Sequence, residues 1–272
     1  MSDSSYGIGL GNDWSDEQRR LAAAEELFDS GTFRHLDTIG LAAGMRCLEL
    51  GGGGGSVARF MAERVGSAGR VLVTDLDLGT LAGCDQSNVE ARVHDIRTDP
   101  LDDSYFDIIH ARLLLEHLPS RLAVLDKLIA ALRPGGWMLV EDLDFSGWLY
   151  LPGERVLCEP KRLYGPYRAM LVGSALIGAT SGWDAEFGRD LPLHFVNAGL
   201  DRVDGEMRSP LIIGGSSQAD FLTLSFREVG PVLVDGGHIS QHELDDLSFA
   251  LAVPGAMAAP LTMVSAWGRR PW

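Results

Sequence analysis

Apolar positions along this chain recur with two alternating periods. Residues 17–29 place Leu21, Ala24, Leu27 and Phe28 on one face of a helix, with Asp16 positioned to cap it. The run RCLEL (46–50) reads as a short strand, and five consecutive glycines follow it at 51–55. Helical spacing returns in SVARFMAERV (56–65), where Val57, Phe60, Met61 and Val65 share a face and Gly66 supplies a stop. RVLVTD (70–75), EARVHD (90–95) and FDIIHA (106–111) have strand character. RLAVLDKLIAAL (121–132) is a helix expected to turn Leu122, Leu125, Leu128, Ile129 and Leu132 inward. RPGG (133–136) makes a turn into a fifth strand, WMLVED (137–142).

Strand and helix thus alternate from 46 to 142. That pattern predicts an α/β fold with a Rossmann-like, mostly parallel sheet and helices on both faces. The rhythm breaks after Asp142. Residues 144–190 carry Phe145, Trp148, Tyr150, Tyr164 and Tyr167 in a mixed helical pattern, which reads as an inserted cap. Further helices are expected at 191–200, 219–229 and 241–251, the last started by a capping box of Ser240 and Glu243. Strands are expected at 208–213 and 260–267. The predicted organisation is an N-terminal helical arm (1–34), a cofactor-binding core (35–143), a cap over the active site (144–190) and a C-terminal part of the core sheet (191–272).

Composition narrows the partners. The chain has 272 residues, 46% of them hydrophobic, enough for one large domain with a full core. Its formal net charge of -15 repels phosphate backbones and anionic surfaces, so neither nucleic acid nor membrane is an expected partner. A small molecule is, and nothing argues against a homo-oligomer. Cys47, Cys84 and Cys158 are too scattered for a disulfide framework or a metal site and suit a reducing compartment. No basic and apolar leader opens the sequence, and no run reaches the roughly 18 apolar residues of a membrane span, so the expected location is cytoplasmic.

The glycines carry the chemistry. At the carboxyl end of the first strand of an open α/β sheet, a ligand crosses the turn only where the backbone comes close, and the following helix aims its N-terminal amides at it. Two registers compete. Gly53, Gly55 and Ala58 satisfy the dinucleotide fingerprint. Gly51, Gly53 and Gly55 satisfy another, with the acid Glu49 two residues ahead, better suited to an amine-bearing ligand than to a pyrophosphate. Both want an acid ending the second strand, and Asp75 is there. A further acid, Asp95, ends the third strand, and no second domain of dehydrogenase size follows. Both facts favour the second register.

CLELGGGGGS, VLVTDLD, VHDI, FDIIHARLLLEHLP, LRPGGWMLVEDLDF and MVSAWGRRP, in that order, resemble the class I S-adenosylmethionine-dependent methyltransferases of the bacterial small-molecule type. The resemblance implies a seven-stranded sheet with its last strand antiparallel, and S-adenosyl-L-methionine as cofactor. It implies that Gly51, Gly53 and Gly55 pass under the methionine and ribose parts, that Glu49 supports the loop or the amino group, and that Asp75 takes the ribose hydroxyls. Leu76 would lie on the adenine, with Asp95 and the Ile96 amide at its polar edge; His110, Ala111 and Arg112 would line the methionine part. The family varies the residues between its glycines. Gly52 and Gly54 fill those places here, which suggests a more mobile loop.

No residues have metal-ligand spacing, so no metal is expected. The predicted activity is methyl transfer to a small molecule, O-methylation of a natural product or metabolite in secondary metabolism. The alternatives are a non-methylating rearrangement or cyclisation around the same cofactor, and an NAD(P)-dependent oxidoreductase. His117 is the first candidate base and His110 the second. Glu116 would hold a substrate amine or tune His117. Tyr6, Trp14, Trp148 and Tyr164 are the candidate acceptor-binding residues.

Overall fold

A computed structural model of the protein describes residues 16–146, 158–258 and 261–272. Tyr6, Trp14, Trp148 and Tyr150 lie outside the described residues. The chain begins with α1 (Glu17–Thr38), runs through β1 (Arg46–Leu50), α2 (Ser56–Val65), β2 (Arg70–Asp75), β3 (Val89–Val93) and β4 (Phe106–Arg112), and reaches a 3-10 turn at Leu115–His117. Then come α3 (Arg121–Ala131), β5 (Leu132–Asp144), β6 (Cys158–Glu159), α4 (Tyr164–Ser181), α5 (Phe187–Asn197) and β7 (Asp201–Arg208). The chain closes with β8 (Ile212–Ile213), α6 (Ser217–Asp235), α7 (Gln241–Ala252), β9 (Met257–Ala258) and β10 (Thr262–Arg269).

Seven strands form one sheet in the order β3-β2-β1-β4-β5-β10-β7. The first five are mutually parallel, and β10 runs antiparallel to both β5 and β7. This is the expected Rossmann-like fold with its last strand reversed. Strand order switches direction between β1 and β4, where doubly wound sheets open a ligand crevice. The strand period of two sorts side chains by face. Leu48, Ile109, Met138 and Val140 pack against α3 and α5, whereas Cys47, Val71, Ile108 and Leu139 pack against α1 and α2.

The bounds of β1, α2 and β2 match the sequence pattern, and the capping box on α7 forms as expected. Other expectations are corrected. Asp16 does stand at the start of α1, but its carboxylate takes Arg19 rather than a backbone amide. α1 runs to Thr38, past the predicted arm. Leu122 is exposed, and Val124 takes the inward place on α3. The seventh strand of the sheet is DRVDGEMR (β7), which overlaps the predicted 208–213 only at Arg208; beyond it only Ile212–Ile213 are extended, in a small second sheet β6-β9-β8. The C-terminal part also divides. β7 and β10 join the main sheet, while α6 and α7 share one apolar cluster with α4 through Phe221, Leu222, Leu247, Tyr167 and Met170. This helical layer is therefore built from two separate chain segments, whose apolar faces meet each other and α1. No described helix is long and apolar enough to cross a membrane.

Candidate active site

The glycine loop links β1 to α2 over the carboxyl edge of the sheet. Gly51, Gly53 and Gly55 have φ of +73°, +50° and +88°, the left-handed region that glycine alone enters without strain. A Cβ on Gly51 or Gly53 would project at Leu114 or Leu21, both 3.3 Å away. Both leucines line the large cavity beside the loop. These two glycines keep that side of the loop open for a close-lying ligand.

Gly52 and Gly54 have a different reason. A Cβ at Gly52 would come within 2.4 Å of Val73 Cγ2, and one at Gly54 within 2.4 Å of Glu25 Oε1. Their bareness lets β2 and α1 close directly onto the loop. The backbone is also fastened. Thr80 Oγ1 donates to Gly53 O (3.0 Å), Arg59 Nη1 donates to Gly54 O (3.0 Å), and the Gly53 amide donates to Asp75 Oδ2 (3.2 Å).

The cavity lining has two parts of different character. The polar part holds Glu49, residues 51–54, Asp75, Glu25, Ser56 and Arg112. Burial pushes the Asp75 carboxyl up, against the amides of Gly53, Asp77 and Leu76 that hold its charged form. Arg112 is committed to α1, with Nη2 on Asp29 Oδ1 and Nη1 on Thr32 Oγ1, both at 2.9 Å. The other part is apolar and aromatic, lined by Leu143, Phe145, Leu171, Trp183, Phe221 and Phe226, and His117 and Glu116 also line the cavity. Glu116 is buried; its Oε2 accepts from the Leu143 amide at 2.9 Å and its Oε1 lies 3.2 Å from His117 Nε2. With its ring proton on Nε2, toward Glu116, His117 presents Nδ1 as an acceptor. Nδ1 is buried and has no partner among the described residues. His117 also stacks on Trp183, centroids 6.1 Å apart.

Of the sequence-predicted residues, Glu49, Gly51, Gly53, Asp75, Arg112, Glu116 and His117 meet in this cavity. Among the described residues, Gly55, Leu76, Asp95, Ile96, His110, Ala111 and Tyr164 are not part of its lining. Gly55 caps α2 and faces Cys84. Leu76 follows β2 outside the lining. Asp95 pairs with Arg97 at 2.8 Å, which holds its carboxyl below the usual range, and the Ile96 side chain is buried in the core beside α3. Ala111 points to that same core, and Tyr164 packs on the cap cluster.

His110 requires the largest correction. It is fully buried under α1, and neither ring nitrogen is available to a ligand. Nδ1 lies 2.6 Å from Glu49 Oε2 and Nε2 3.2 Å from Glu141 Oε2. Glu141 Oε1 lies 3.0 Å from His35 Nδ1, whose Nε2 lies 2.9 Å from Glu206. Thr32, Ser265 and Arg34 bond into the same row, which crosses the sheet beneath α1. Burial alone would depress His110, but attraction to Glu49 and hydrogen bonds with Glu141 and Glu49 outweigh it and push it up to about 9. Burial would likewise raise Glu141, yet the two histidines hold it well below the usual carboxylate range.

Pattern reading missed Glu17, Arg20 and Glu25 of α1, Phe221 and Ser225 of α6, and Trp183, all of which line the cavity. The only sequence signal was the arm and cap as general substrate territory.

Comparison with known proteins follows the same lines. A family model described as a methyltransferase domain matches residues 16–169. The Laribacter hongkongensis ubiquinone/menaquinone biosynthesis C-methyltransferase UbiE is 33% identical over 117 residues, 41% of this chain and 47% of that protein. Methyltransferase str2 of Strobilurus tenacellus is 30% identical over 111 residues, 41% of this chain and 40% of that protein. The chain thus spans less than half the length of these curated relatives. Among solved structures, YcgJ of Bacillus subtilis superposes with a TM-score of 0.56 at 15% identity, over 88% of this chain and 97% of that one. A Haemonchus contortus phosphoethanolamine N-methyltransferase, captured with phosphomonomethylethanolamine and S-adenosylhomocysteine, gives 0.51 at 16% identity, over 97% of this chain and 55% of that one. At these identities the structures attest the fold.

Proposed function

The chain belongs to the methyltransferase domain family, of the class I S-adenosylmethionine-dependent type, and from that premise we propose that it methylates a hydroxyl of a small, largely apolar molecule. The observation that carries this reading is the make-up of the cavity: glycine loop and carboxylates in one part of its lining, an aromatic wall with His117 stacked on Trp183 in another. The polar part fits S-adenosylmethionine. Asp75 suits ribose hydroxyls, Glu49 an ammonium group, and the bare faces of Gly51 and Gly53 a close backbone approach. Asp95 and His110 stand outside this assignment, because their side chains are held by Arg97 and by Glu49 and Glu141.

When bound, the cofactor supplies a methyl carbon made electrophilic by its sulfonium. The chain's own residues supply position and proton transfer. Glu116, fixed by the Leu143 amide, orients His117, and His117 Nδ1 takes the proton of the acceptor hydroxyl. Phe145, Phe221 and Phe226 exclude water around it. Relatives named for C- and N-methylation show that the accepting atom varies across such proteins; the assignment to oxygen rests on His117. A place in cytoplasmic secondary metabolism, with a small molecule as partner, completes the reading, and the net charge of -15 supports it against nucleic acid.

Calorimetric titration with S-adenosylmethionine, S-adenosylhomocysteine and NAD tests the cofactor. Transfer of a labelled methyl group to a panel of phenols tests the reaction. Binding of the first two ligands and label in an ether product are expected. Binding of NAD without S-adenosylmethionine would overturn the reading.

A further inference from the structure

Two residues that line the cavity each carry a buried polar atom without a hydrogen-bond partner among the described residues, Trp183 Nε1 and His117 Nδ1. Trp183 is 6% exposed and His117 9%. Their rings face each other, 16° from parallel. Native interiors rarely leave such atoms unpaired, and because both side chains line the cavity a ligand held there can supply the partners. Their chemistry is complementary. An indole N–H can only donate, and His117 Nδ1, with Nε2 turned to Glu116, accepts.

Resting on the methyltransferase reading above, we propose that Trp183 is a specificity-determining residue whose indole N–H, together with His117 Nδ1, holds the reacting hydroxyl of a planar aromatic alcohol. One hydroxyl answers both atoms, since its oxygen accepts from Trp183 while its hydrogen goes to His117. An ether answers only Trp183, an ammonium only His117, and a carbon nucleophile neither. Phe145 stands edge-on to Trp183, centroids 5.0 Å apart and planes at 79°, and Phe221 and Phe226 continue the wall, which suits a flat ring system. The O–H proton passes to Nδ1, and the electron pair left on oxygen forms the new O–C bond. The sulfonium's S–C bond breaks with its pair remaining on sulfur. The indole N–H stays on the oxygen throughout and stabilises its developing charge.

Three probes separate the two hydrogen bonds: 2-naphthol, 2-methoxynaphthalene and naphthalene, measured by equilibrium dialysis with and without S-adenosylhomocysteine. In the wild-type protein the ether should bind about 3- to 10-fold tighter than naphthalene, and the naphthol a further 3- to 10-fold tighter, the span of a neutral hydrogen bond. Trp183→Phe should erase the first step and keep the second; His117→Leu should do the reverse. Equal binding of all three probes to the wild-type protein overturns the proposal whether or not the variants fold. So does a Trp183→Phe protein that keeps the first step. If S-adenosylhomocysteine itself fails to bind, the methyltransferase reading falls, while the probe series still reports on the two side chains.

Discussion

At the scale of single residues, the chain spends its buried charges under α1. His110 and His35 each sit between two carboxylates, and β10 and β7 contribute Ser265 and Glu206 to the same row. His110 moves from an ordinary value of 6.5 to about 9, so its contribution to stability is complete below about pH 6.5 and is lost as pH rises through about 9. A shift of that size is worth on the order of 3 kcal/mol. Urea unfolding at pH 6, 7.5 and 9.5 should show the midpoint falling across that window, and His110→Gln should flatten the fall. A wild-type midpoint that does not change would mean the imidazole is neutral throughout. The carboxylates at the cavity allow a second comparison. Asp75 lines the cavity and accepts the Gly53 and Asp77 amides, whereas Asp77 is exposed and caps only the Gly79 turn. Asp75→Ala should weaken S-adenosylhomocysteine binding by well over tenfold in calorimetry, given about 1.5–3 kcal/mol for each hydrogen bond to a charged group. Asp77→Ala should leave it near wild type. For the base, His117→Ala should slow methyl transfer by roughly 10²–10⁴ fold while cofactor-product affinity holds. Normal turnover would reassign His117 to a structural role.

At the scale of elements, the glycine loop shows which features the sequence discloses. Glu49, Gly51, Gly53 and Asp75 were legible because a strand end, a bare turn and an acid lie adjacent in the chain. The reason for Gly52 and Gly54 was not, since Val73 and Glu25 reach them only through packing of β2 and α1. The two positions should differ when filled. Val73 is a fully buried, β-branched neighbour, so Gly52→Ala should cost about 1–3 kcal/mol by overpacking. At Gly54 the obstacle is the end of a flexible glutamate, so Gly54→Ala should cost less and mainly release Glu25 from the Ser56 amide it accepts at 3.1 Å. Equal losses in thermal unfolding would show that α1 is pinned as firmly as β2. β7 escaped pattern reading for a related reason. DRVDGEMR is an edge strand of mostly charged residues, held by its ladder to β10 and by Glu206 and Arg208 reaching α1, with almost no apolar periodicity to read.

At the scale of the whole molecule, the sheet and its helices follow from local pattern, and the cavity does not. Its apolar wall joins Phe145 after β5, Leu171 on α4, Trp183, and Phe221 and Phe226 on α6, residues that no single window of sequence contains. Of the described aromatics that did stand out, Phe145 reaches the cavity, whereas Tyr164 and Tyr167 pack into the apolar cluster of α4, α6 and α7. Because α4, α6 and α7 bury a common cluster, which also takes Leu143, Ala24 and Phe28 from the core and α1, the two segments share one apolar core. We expect them to open as one unit, with the ligand adding contacts from both sides of the cavity. Hydrogen exchange should then find a common rate for the amides of α4 and α6 in the free protein, faster than those of β1 and β4. Adding S-adenosylhomocysteine with 2-naphthol should slow both helices together. Protection of α4 without α6 would separate the two segments and confine the cap to the stretch after β5.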